Sequence, residues 1–198
     1  MGFTKYKSLG EVLKKYRIKY QDLPFEMLTN NDVPPFLLED LEFTFKNIAY
    51  DSSEASICEN IIYPILKTAW KPFVDDFALW SHEPIVFNEE LSGIPDYVIS
   101  KRSELGKVVF EAPFLAVVEA KKDDFTAGWA QCSLEMYSIQ QINQTPEKSI
   151  FGMVSNGDTW EMASLKNANF SAYRERFGTN DLRALFNAIQ TVLLLCKE

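Results

Sequence analysis

The run Phe114-Leu115-Ala116-Val117-Val118 crosses five positions without a charge and then carries Glu119 and Lys121, two residues apart. An uncharged run of this length with β-branched residues predicts a buried strand over Phe114 to Lys121. Successive strand side chains alternate faces, so Glu119 and Lys121 project from one side of that strand. Burying unpaired charges is costly. A strand that spends two positions on them near its end therefore needs a partner for both. Gly93-Ile94-Pro95-Asp96-Tyr97 supplies a third charge, Asp96, at the head of the preceding predicted strand. Pro95 is tolerated there because a first strand position need not donate to the ladder.

The rest of the chain frames this cluster. Ser8 and Glu11 have the spacing of a capping box, and Leu9, Val12, Leu13 and Tyr16 continue as a helical stripe. A second helix is expected from Pro35 to about Asn47, so residues 1–50 are read as a helical extension and 51–198 as the main domain. A helix from Ser52 or Ser53 to about Trp70 buries Ile57, Cys58, Ile61, Ile62, Ile65, Leu66 and Ala69, with Glu54 on that inward stripe. Short strands follow at Ile85–Phe87, Asp96–Ile99 and Phe114–Lys121, and then a helix from about Thr126 to Ile142. Strands at Ser149–Val154 and Thr159–Met162 flank Asn156-Gly157, a hairpin signal. A last helix spans about Asn180 to Lys197. Helix, three strands, helix and two strands make an α/β sandwich with a mixed sheet.

Composition narrows the function classes. Of 198 residues 46% are hydrophobic, enough for a real core, and the net charge of −8 argues against a general nucleic-acid coating role. Basic residues concentrate at Lys5, Lys7, Lys14, Lys15, Arg17 and Lys19, interleaved with Tyr6, Tyr16 and Tyr20. This arm is either a phosphate-tracking element or a solvated helix balanced by the acidic stretch from Asp22 to Glu59, and the latter is favoured. The lone histidine, His82, excludes paired-histidine sites within one chain and reads as a solvated loop residue. Cys58, Cys132 and Cys196 are widely spaced and odd in number, as expected of free thiols in a cytoplasmic protein, and give no zinc signature. Neither a secretory leader nor a membrane span is expected. Gly-rich phosphate loops and dinucleotide fingerprints are missing, and core packing is the expected use of Trp129 and Trp160.

Taken in order, Ser53-Glu54-Ala55, Gly93-Ile94-Pro95-Asp96-Tyr97, Val117-Val118-Glu119-Ala120-Lys121-Lys122 and Gln131 resemble the PD-(D/E)xK nuclease superfamily. The likeness is to the N-terminal nuclease domain of type I restriction enzyme motor subunits, over roughly residues 52 to 163. It implies a restriction-endonuclease-like sandwich and Mg2+- or Mn2+-dependent hydrolysis of DNA, with RNA the second nucleic acid to consider, in a defence or repair setting. Asp96 and Glu119 match the family's metal carboxylates, with the Ala120 carbonyl a third ligand. Lys121 matches the lysine that orients the attacking water or neutralises developing charge. Glu54 matches the helical glutamate completing the metal shell, and Gln131 a glutamine of one nuclease branch. That branch places a tyrosine four residues later, where this chain has Glu135. A homodimer would suit a nuclease that cuts both strands. The alternative is a nuclease fold without activity, serving as a nucleic-acid- or protein-binding module.

Overall fold

The computed structural model describes residues 3–198. Its centre is a twisted mixed sheet in the order β1-β9-β8-β7-β6-β5-β2, with β10 pairing to β8. The strands are β1 (Lys19–Leu23), β2 (Phe77–Ser81), β5 (Tyr97–Lys101), β6 (Phe114–Ala120), β7 (Ile150–Ser155), β8 (Thr159–Lys166), β9 (Asn169–Tyr173) and β10 (Phe177–Gly178). β3 (Ile85–Val86) and β4 (Ser92–Gly93) form a separate ribbon. β6 runs parallel to β7 and β1 parallel to β9, while the remaining pairs are antiparallel.

Helices cover both faces, which makes the chain a mixed α/β sandwich. α5 (Phe125–Asn143) is the crossover that a parallel β6–β7 pair requires, and α1 (Leu9–Tyr16) packs on it. On the other face lie α2 (Pro35–Asn47), α3 (Glu54–Ile57), a π-helical segment Cys58–Ile62, α4 (Tyr63–Trp70) and α6 (Leu182–Leu195). Two apolar cores result. Ala116, Val118 and Ala120 point to the α3–α4–α6 side, and Val117 to the α5 side. Alternation puts Glu119 and Lys121 on the α5 side as well.

Local signals account for the helix starts. Ser8 Oγ accepts from Glu11 N, and Ser53 Oγ accepts from Ser56 N at 3.1 Å. Asp124 caps α5 by accepting from Ala127 N at 2.9 Å. Gly157, at φ 91°, forms the β7–β8 turn, with Asn156 Oδ1 accepting from Thr159 N.

The first fifty residues carry the two expected helices and also a strand that periodicity did not signal. All five residues of β1 are exposed, so it shows no apolar alternation, and its register is set by pairing with β9. Among the described residues no helix is long and apolar enough to cross a membrane. All three cysteines are free thiols.

Candidate functional site

Strand register assembles the site. β5 and β6 pair Tyr97 with Val118, so Asp96 lies opposite Glu119 at the next step. Ser81 pairs with Tyr97, which sets His82 opposite Asp96, and His82 N donates to the Asp96 carbonyl at 3.0 Å. On the other side Glu119 pairs with Val154, and Val154 with Glu161. Paired residues share a face. His82, Asp96, Glu119, Val154 and Glu161 thus form one row beneath the start of α5, at the carboxyl end of β6.

Glu119 is only 2% exposed. Its Oε1 accepts from Lys121 Nζ at 2.7 Å, while Oε2 is buried without a hydrogen-bond partner. Burial and the nearby Asp96 carboxylate push the Glu119 carboxyl up to about 8, against the opposing pull of Lys121. Burial alone would lower the Lys121 ammonium, but the carboxylates of Glu119, Glu54 and Asp96 outweigh it and raise its pKa. Asp96 Oδ2 accepts from Ala120 N at 2.7 Å. Burial still raises the Asp96 carboxyl despite that bond and the neighbouring Lys121 ammonium.

The other expected residues fall around this core. Glu54 does not lie on the buried stripe: at the first turn of α3 its side chain is 53% exposed. It reaches the rim of the site, with Oε2 3.9 Å from Lys121 Nζ and Oε1 accepting from Lys122 N at 3.4 Å. The first turn places its charge at the positive end of the helix. Gln131 turns its amide to Glu135, Nε2 donating to Oε1 at 3.1 Å. The structure shows Ala120 through its N–H on Asp96.

Two residues gain weight that the sequence had not given them. His82 is exposed, as expected, yet its Nε2 stands 3.5 Å from Asp96 Oδ1, on a backbone at φ 55°. Glu135 is fully buried with Oε2 unpartnered. Burial first, then the charge of Glu119, lifts its carboxyl well above the usual range. The signal for Glu135 was its position one helical turn after Gln131.

Among the described residues no three His, Cys, Asp or Glu side chains converge as a ready-made metal group. Magnesium needs less than that, since it retains waters and takes one or two carboxylates plus substrate phosphates. Asp96 and the orphaned Oε2 of Glu119 are hard oxygen donors whose charges oppose each other, and such donors are the type a divalent cation takes. No model of a known protein family and no curated protein matches the chain.

Proposed function

We propose that the chain is a metal-dependent phosphodiesterase that acts on DNA. One observation carries the reading: a carboxylate with an unpartnered oxygen, its pKa raised by burial and then by Asp96, touched by a lysine at 2.7 Å. Such strained groups cluster where chemistry is done. Bound at Asp96 and Glu119, a Mg2+ or Mn2+ ion would supply Lewis-acid polarisation of the phosphoryl oxygen.

The remaining work falls to the chain. Asp96 is held in place by the Ala120 N–H. Lys121 places an ammonium where negative charge develops on the phosphoryl group, the dominant need in phosphoryl transfer. Its stem packs against Gly128 of α5, which limits its wandering. Glu54 sets a second acceptor at the solvent-facing rim, 3.9 Å from that ammonium.

Calorimetric titration with Mg2+ and Mn2+, paired with cleavage of plasmid, oligonucleotide and RNA substrates, tests the proposal. Asp96→Ala and Glu119→Ala should abolish metal binding, and Lys121→Ala should keep it while cutting cleavage about 100-fold or more. Cleavage retained in all three variants overturns the reading. A second reading has its own support, because Lys121 is engaged by Glu119 and, among the described residues, no three acids converge as a metal group. Nucleic-acid binding indifferent to EDTA and to these variants, without cleavage, would identify a non-catalytic binding module.

A further inference from the structure

Next to Glu161 in the same row, between β1, β8, β9 and the first turns of α5, lies a cleft of about 460 Å3. Its walls include Tyr20, Trp129, Phe170, Arg174 and Arg176. The Tyr20 ring is 51% exposed and stacks on the buried Phe170, with centroids 6.2 Å apart and planes 18° from parallel. Trp129 meets Phe170 edge-on at 5.7 Å and 88°.

The polar atoms of these rings are already engaged within the protein. Trp129 Nε1 donates to Glu161 Oε2 at 2.6 Å, Arg176 pairs with Glu161 Oε1 at 2.6 Å, and Tyr20 Oη donates to Asp22 at 2.7 Å. Arg174 is held beside the cleft by its N–H on the Leu23 carbonyl at 3.0 Å. What remains on offer is an aromatic face flanked by the exposed Arg174 and by Arg176, whose side chain is 72% exposed although one guanidinium nitrogen is held by Glu161. The polar edges that would read one particular molecule are spent.

That combination suits a flat ring joined to a negative charge. A cleft of this volume lies in the range of small-ligand sites and accommodates one nucleotide. Bases within a duplex keep their faces stacked, whereas an unpaired base can lie on an aromatic ring whatever its identity. Glu161 is two strands from Glu119, about 10 Å at ordinary strand spacing, so the cleft adjoins the carboxylate site.

We propose that Tyr20, backed by Phe170 and Trp129, is a stacking subsite for an unpaired nucleobase whose neighbouring phosphate is held by Arg174 and Arg176. The choice of nucleic acid rests on the phosphodiesterase reading and extends it to single-stranded substrate beside the scissile bond.

Fluorescence anisotropy of labelled oligothymidylate, and of a duplex of equal length, tests the subsite with the full chain in EDTA and low salt. The single strand should bind more tightly than the duplex. Tyr20→Ala should weaken it about 10-fold, in keeping with the stacking of one base, while Tyr20→Phe should bind as the unmodified chain does. Arg174→Ala should weaken binding and reduce its salt slope by about 0.7, as loss of one phosphate contact does on a single strand. Unchanged affinity in Tyr20→Ala, preference for the duplex, or no binding of either nucleic acid overturns the subsite. Cleavage separates the two proposals: a chain that cleaves the oligonucleotide with Mg2+ but binds it equally well after Tyr20→Ala overturns the subsite and leaves the phosphodiesterase reading standing. Tyr20-dependent binding in a chain that never cleaves would sink the phosphodiesterase reading and leave the subsite standing.

Discussion

At the scale of the residue, Glu119 is a carboxyl buried beside a second acid, with one oxygen unpartnered. Folding buries it, so the folded carboxyl, at about 8, holds its proton more tightly than the unfolded one at about 4.5. Its contribution therefore favours the folded state at low pH and is lost as pH rises from about 4.5 to about 8. Thermal melts of the metal-free protein should show midpoints falling across that window. Glu119→Gln should flatten the fall, and Mg2+ or Mn2+ should oppose it by favouring the ionised form. A pH slope identical in Glu119→Gln would show that other groups set it. The pairing of Asp96, Glu119 and Lys121 was legible because strand alternation and strand order follow directly from the apolar pattern. The approach of His82 to Asp96 and of Glu135 to Glu119 was not, since only the folded sheet brings those pairs together; the Gln131–Glu135 spacing alone was visible in the sequence.

At the scale of the element, α5 lies so close to the sheet that Gly128 has no room for a side chain. A Cβ there would stand 2.7 Å from Val154 Cγ1 and 3.0 Å from Lys121 Cγ. Gly128→Ala should therefore lower stability by about 1–3 kcal/mol, read as a lower denaturation midpoint, and weaken any cleavage by displacing the lysine stem. Gly10 of α1 is the contrasting case, with Ser8 Oγ the nearest atom at 4.0 Å. Gly10→Ala should raise stability by about 0.5–1 kcal/mol, because only the entropic cost of a helical glycine changes. Helices were legible nearly to the residue where caps and stripes coincide, as at Ser8, Ser53 and Pro35. β1 and β2 were missed for a common reason. Both are edge strands, and neither buries a clean alternating face. Glu54 was misplaced because the stripe was extended one turn past the point where its charge meets solvent.

At the scale of the whole molecule, the N-terminal segment is bound into the sandwich on both sides. β1 completes the sheet edge, Tyr16 packs on Tyr137 of α5 at 4.4 Å, and Asn31 exchanges hydrogen bonds with Asn187 and Gln190 of α6. The basic arm is likewise partly neutralised, with Lys5 2.9 Å and Lys15 3.9 Å from Glu90. A chain starting at Asp51 should accordingly melt well below the full chain and bind hydrophobic dyes. Equal melting of the two would make residues 1–50 an independent appendage. The indole of Trp129 carries a practical consequence. The four tryptophans all donate their Nε1–H, but Trp70, Trp80 and Trp160 donate to carbonyl or hydroxyl oxygens, and Trp129 alone donates to a carboxylate. Trp129 thus gives the protein a built-in optical reporter, whose emission, isolated by comparison with Trp129→Phe, should shift when a ligand settles beside it and stay constant when one binds elsewhere.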